Sequence, residues 1–315
     1  MSNPQAAAPI VPRPVPTTSV VAWDGSDASE AALEWAITRA ELLNGAVVLV
    51  RVVDDADLYI EKSLDESLTD AGGTAMEALV LRANQLRPEH PSVTFTTKLS
   101  FGHVVDELRK VAQPDTILVV GTGVPSTRHR RFDWSVSARL ASTSRGPVAV
   151  VPIAAPEGRH GVVVGINGSD ESIAAAFLGA QEAAARKEDL HLVLAWSEPR
   201  VGDARSASGE FTQWLHDSNQ AMLSESGKVI ADAFPELHVH GHLEHTDAAA
   251  AIHQHAANAS LVVVGSRGRG SIRRLLLSSV SHSLLMGIEC PTIVLGHAVL
   301  REQAHASDSA PPVSR

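Results

Sequence analysis

Val20-Val21-Ala22-Trp23-Asp24-Gly25-Ser26-Asp27 returns later in the chain as Val163-Val164-Gly165-Ile166-Asn167-Gly168-Ser169-Asp170. An apolar run that stops at a short polar residue, then Gly, Ser and Asp, reads as a buried strand that feeds a turn and a helix cap. The echo continues. Ile117-Leu118-Val119-Val120-Gly121 matches Leu261-Val262-Val263-Val264-Gly265, and Arg145-Gly146-Pro147-Val148-Ala149-Val150-Val151 matches Glu289-Cys290-Pro291-Thr292-Ile293-Val294-Leu295. The offset is 143 at the first pair and 144 at the other two. A period this long is domain duplication, not a solenoid.

Working outward, each copy alternates strand and helix. In the first, strands are expected at residues 19–23, 46–53, 93–99, 116–121 and 147–151. Helices are expected at 27–43, 63–86, 104–112 and 134–143, with Gly72-Gly73 breaking or starting the second. In the second copy the strands are 161–166, 190–196, 237–243, 261–265 and 292–295. Its helices are 171–186, 211–234, 247–258 and 279–286. Repeated βα units imply right-handed crossovers and a parallel sheet. The predicted fold is α/β: two tandem, Rossmann-like, doubly wound domains, each with a mostly five-stranded parallel sheet and helices on both faces. Residues 93–99 are more polar than the other strands and belong near an edge. Residues 1–16 and 298–315 read as disordered tails, 17–153 as domain 1, 154–160 as a linker and 161–297 as domain 2.

Composition agrees. Of the 315 residues 44% are hydrophobic but only 4% aromatic, so packing rests on Val, Leu, Ile and Ala. The net charge of -10 excludes nucleic acid or an anionic membrane as a partner of the whole surface, so an anion site must be a local basic island. The single cysteine, Cys290, forbids an intrachain disulfide. The Ala- and Pro-rich start lacks the pattern of a secretory signal, and no apolar run reaches spanning length. A cytoplasmic protein is the expectation.

Gly265-Ser266-Arg267-Gly268-Arg269-Gly270-Ser271 directly follows a buried strand, and a helix opens at Ser278, Ser279 and Val280. Glycines let successive N–H groups turn toward an anion, and a helix start adds free N–H groups and a positive dipole end. Arg267, Arg269, Arg273 and Arg274 form the basic island. This is not a Walker loop, because Gly270 is followed by Ser271 and no Lys stands before it. The bland alternative is a glycine-rich surface loop with solvated arginines. At the other strand ends, Asp24-Gly25-Ser26 and Asn167-Gly168-Ser169 offer a short polar side chain to a ribose hydroxyl or a base edge. They serve equally as turn and cap, and both uses are compatible.

Together with Cys290-Pro291-Thr292-Ile293-Val294-Leu295, these motifs resemble the universal stress protein family, over residues 19–295. Its nucleotide-binding members carry G-x2-G-x9-G followed by Ser or Thr. Gly265, Gly268 and Ser279 match, whereas Ser278 stands at the third glycine. The resemblance implies ATP or a related adenine nucleotide as ligand, with or without Mg²⁺, and pairing of the two domains through their last strands. It places the adenine and ribose near Gly165 and Asn167 and the phosphates over Gly265 to Ser271, Ser278 and Ser279. The first copy keeps Gly121 and Ser135, and it keeps Asp24, the acidic residue the family uses on the base or ribose side. It departs at Val124, Pro125 and Trp134, where Trp134 is placed to block the phosphate site. The second site is therefore favoured over the first.

No catalytic residue and no metal site is predicted. There is no nucleophile elbow, no zinc signature and no carboxylate cluster suited to Mg²⁺ beside the loop. His238, His240 and His242 alternate along one strand with His245, His253 and His255 nearby; a solvated edge is favoured over a metal site. The expected function is a nucleotide-binding stress regulator that works through nucleotide-dependent conformation or partner binding. Partners beyond the nucleotide are a homodimeric copy or a protein the sequence does not name. The alternatives are a nucleotide-free dimeric scaffold and, behind it, a slow ATPase.

Overall fold

Successive residues of the apolar strands point to opposite sides of the sheet. In β1 (Thr18–Ala22), Val21 joins one buried cluster and Val20 the other; in β4 (Thr116–Thr122), Ile117 and Val119 take the first and Leu118 and Val120 the second. Strands apolar on both faces need cover on both faces, and helices supply it. The computed structural model describes residues 15–54, 64–123, 136–153, 158–198, 209–266 and 279–296, with the backbone alone of residues 64–71 and 279.

In the first half β1 is followed by α1 (Asp27–Leu43), β2 (Ala46–Val53), α2 (Leu64–Glu89), β3 (Thr94–Phe101), α3 (Val104–Val111), β4, α4 (Val136–Thr143) and β5 (Val148–Pro152). The second half repeats this with β6 (Val162–Gly165), α5 (Asp170–Arg186), β7 (Leu190–Ala195), α6 (Gly209–Ala233), β8 (Val239–Glu244), α7 (Ala248–Ala256), β9 (Leu261–Gly265), α8 (Ser279–Met286) and β10 (Thr292–Leu295). All ten strands form one sheet in the order β3-β2-β1-β4-β5-β10-β9-β6-β7-β8. Every pairing is parallel except the central one. There β5 and β10 run antiparallel, with Ile293 opposite Ala149. The last strands thus join the two halves, as the resemblance implies. Helices α1, α2, α5 and α6 cover one face and α3, α4, α7 and α8 the other.

The duplication extends to the caps. Ser26 accepts from Ser29 N–H at the start of α1, and Ser169 accepts from Ser172 N–H at the start of α5. Asn44 and Lys187, at φ 50° and 56°, end the same two helices in the left-handed region. The sheet ends in β3 and β8, whose polar residues suit exposed edges.

One expectation fails. Gly72-Gly73 neither breaks nor starts a helix, and α2 runs straight through them. Packing explains Gly72: a Cβ there would lie 2.8 Å from the Phe101 ring, so the glycine lets α2 pass over the end of β3, whereas a Cβ on Gly73 would meet nothing within 4 Å. The helix persists despite a propensity cost of about 1 kcal/mol for each glycine.

Candidate functional site

In each half the chain leaves the first strand toward one edge and later returns to the other side of that strand. The reversal lies between β1 and β4, and again between β6 and β9. Ligands of doubly wound sheets bind outside the carboxyl ends of strands at such a switch point.

In the first half this crevice is a cleft of roughly 370 Å³ lined by Asp24, Ser29, Arg51, Asp54, Gly121 and Val136, among others. Asp24 ends β1 in an Asx turn, accepting from Ser26 N–H at 2.9 Å, while Ser29 Oγ accepts from the N–H groups of Asp24 and Gly25. Burial pushes the Asp24 pKa up, but hydrogen bonds from Ser26 and Ser29 and the Arg51 charge outweigh it and hold the carboxylate below its ordinary value. The cleft therefore presents a fixed anion at neutral pH. Trp23 closes one side, its indole N–H donating to Glu30 at 2.7 Å, and Glu30 in turn accepts from Arg82.

In the second half Asn167 repeats the Asx turn, accepting from Ser169 N–H at 3.0 Å. It replaces a carboxylate with a neutral amide that can donate as well as accept. Gly165 has a packing reason to be glycine, since a Cβ there would lie 2.6 Å from Ile252 Cδ1. Gly265 lies one strand away, at the end of β9. Its carbonyl accepts from Ser281 Oγ at 2.9 Å, which ties the first turn of α8 to the strand end. Ser266 is buried and its N–H donates to Leu295 O at 2.9 Å, which continues the sheet. Val280 is half-buried against the α7 and α8 core. The bond from Ser281 thus holds the start of α8 beside Gly265 at the end of β9.

Both halves of the chain match the family model described as the universal stress protein family, over residues 18–152 and 159–296. The chain belongs to the universal stress protein family. A universal stress protein of Mycobacterium tuberculosis is 30% identical over 296 residues, covering 87% of this chain and 93% of that protein. One from Mycolicibacterium smegmatis is 29% identical over 285 residues, covering 88% and 96%. The crystal structure of a universal stress protein from Archaeoglobus fulgidus shares the fold with a TM-score of 0.66 at 19% identity, over 89% of this chain and 98% of that one. A Pseudomonas aeruginosa protein of unknown function does so at 0.60 and 15%, over 93% and 98%.

Seen as a universal stress protein, the chain brings Gly165, Asn167, Gly265, Ser266 and Val280 to one switch point and Asp24 and Gly121 to the other. Arg267, Gly268, Arg269, Gly270, Ser271 and Ser278, and in the first half Val124, Pro125, Trp134 and Ser135, lie outside the described residues, as does the Ser279 side chain. The sequence reading missed Arg51 and Asp54 in the first cleft and Ser281 in the second. A charged residue inside Ala46-Val47-Val48-Leu49-Val50-Arg51-Val52-Val53 was one available signal. The match of Ser137 to Ser281 at the repeat offset was another.

The histidines gather more closely than their spacing suggested. His191 of β7 contacts His242 at 3.0 Å and stacks on His240, and His255 of α7 packs against His242 and meets Glu244 at 2.8 Å. Among the described residues no group is arranged to hold a metal ion. Cys290 is buried, and that burial pushes its thiol up to about 11, against the pull of Arg159, so the thiolate is disfavoured. Among the described residues no helix is long and apolar enough to cross a membrane.

Proposed function

We propose that this universal stress protein binds ATP or a related adenine nucleotide at the switch point of its second half, and that occupancy regulates a partner rather than driving turnover. The observation that carries the reading is the tie between Ser281 and Gly265, which sets a helix N-terminus against the end of a buried strand. An anion there meets the positive end of a helix dipole. The sequence from Gly265 through Gly268 to Ser279, with its four arginines, supplies glycines and cations suited to phosphates. Asn167 and Gly165 would hold the ribose and adenine side, with Mg²⁺ arriving on the nucleotide. Occupancy beside β9 and α8 would change the surface offered to a partner protein or a second chain.

A second reading is favoured by one feature. The first half keeps an open cleft with an anionic Asp24, the chemistry suited to a ribose diol, so that cleft would be the occupied one.

The test is to unfold the purified protein by heat and identify any released nucleotide by chromatography and mass spectrometry. The reading expects an adenine nucleotide at up to one per chain. Saturating ATP at about 100 times Kd should add about 2.7 kcal/mol of stability. No released nucleotide and no shift of the unfolding midpoint with ATP would leave the nucleotide-free scaffold.

A further inference from the structure

The two halves meet at more than their last strands. Arg39 of α1 and Glu182 of α5 are buried, at 0% and 1% side-chain exposure, and Arg39 Nε and Nη2 both approach Glu182 Oε1 at 2.8 Å. They are separated by 143 residues, the offset of the repeat, so each occupies the other's position in the opposite half. They face each other across the pseudo-two-fold axis, where a true homodimer would set one residue against its own copy. The rest of the surroundings are also asymmetric. Arg39 donates to Pro16 O at 2.8 Å, while Arg186 reaches Glu182 at 3.4 Å and lies 6.0 Å from the centre of the Trp35 ring.

The strand contact discriminates far less. Ala149 opposes Ile293 on the axis, flanked by Val150 against Thr292 and Val148 against Val294. Pairing of like halves would keep apolar strands in contact. It would, however, bring two Arg39 guanidinium groups together without a carboxylate, and two buried Glu182 carboxylates face to face. A buried ion pair contributes little net stability compared with an apolar pair of similar volume, whereas a buried unpaired charge is strongly unfavourable.

We infer that the Arg39–Glu182 pair makes this interface heterotypic: the surface around α1 and α5 accepts only an unlike domain, which keeps each first half on a second half and bars like-with-like assembly through β5 or β10. This needs no ligand and is independent of the nucleotide reading.

The test uses full-length variants, their mass by light scattering and their thermal midpoints. Arg39→Glu and Glu182→Arg should each lower the midpoint by about 10 °C or more, since each leaves like charges buried. The double reversal, Arg39→Glu with Glu182→Arg, should regain part of the combined loss at wild-type mass, and not all of it, because the new guanidinium lies beside Arg186 and the new carboxylate faces Pro16 O. The apolar pair, Arg39→Met with Glu182→Leu, should fold and yield species heavier than wild type, as like halves of two chains associate. A double reversal that regains nothing, or an apolar variant that stays entirely at wild-type mass, would overturn the inference. If the single variants fail to fold, these two double variants still decide it.

Discussion

Gly121 and Gly265 occupy equivalent strand ends under different constraints. A Cβ on Gly121 would lie 1.8 Å from the carbonyl oxygen of Ala28, a backbone atom of the first turn of α1. On Gly265 it would meet Glu171 Cβ at 3.3 Å, which a small shift relieves. Gly121→Ala should therefore cost about 3 kcal/mol and Gly265→Ala about 1 kcal/mol, measured by urea unfolding. Equal costs would mean that the close approach of α1 to β4 is not a real constraint. Motif glycines thus have two readings, and sequence could name the positions but not separate packing from ligand approach. Gly165 shows why: its neighbour is Ile252, 87 residues away. The histidine group was half legible for the same reason. Alternation pointed to His240 and His242, but His191 joins them only through the register of β7 on β8.

That group makes a prediction about pH. Burial depresses the His191 and His242 pKa values below the ordinary 6.5; His240 and His255 add to this for His191, and His255, His191 and His240 for His242. Asp189 opposes the effect on His191 and Glu244 that on His242. A depressed imidazole stays neutral in the fold while the unfolded chain still binds protons. Its stability is thus present above about pH 6.5 and is lost as pH falls toward the depressed value. The thermal midpoint should drop on acidification from pH 7.5 to 5.5, and His191→Gln with His242→Gln should flatten the drop. An unchanged slope in that variant would assign the acid sensitivity elsewhere.

At the scale of elements, the strand-turn-helix units were the most legible parts of the chain. Ser26 and Ser169 each follow an apolar run and precede Asp27 and Asp170, and both cap as the pattern required. Removing either hydroxyl, Ser26→Ala or Ser169→Ala, should cost about 1 kcal/mol in thermal or urea unfolding. A neutral result at both would mean that the Asx turns of Asp24 and Asn167 hold the helix starts unaided. Helix α2 was less legible, because Gly72-Gly73 carries a local break signal that the helix runs through. Helix α8 was placed as predicted, from Ser279 to Met286. Its hold on β9 through Ser281 was not, since a serine in a first turn has no sequence mark for a bond to a carbonyl 16 residues earlier.

For the whole molecule, duplication explains both the continuity and the asymmetry. The repeat offset predicted two like domains, and their sheets merge because β5 and β10 are apolar on both sides and need a neighbour. One buried cluster runs through α1, α2, α5 and α6 and crosses between the halves. Paired copies can then diverge: Arg39 against Glu182 at the axis, Asp24 against Asn167 at the switch points, Gly268 against Val124 in the sequence after the strand. The sequence showed that divergence at Asp24 and Asn167, and it favoured the second half as the nucleotide site.

The most direct measurement is calorimetric titration of ATP into the wild-type protein, Gly268→Ala and Asp24→Ala. Binding of one nucleotide per chain is expected, weakened at least tenfold, or about 1.4 kcal/mol, in Gly268→Ala and retained in Asp24→Ala. Loss in Asp24→Ala alone would move the site to the first half, and no binding to the wild-type protein would contradict the nucleotide reading itself.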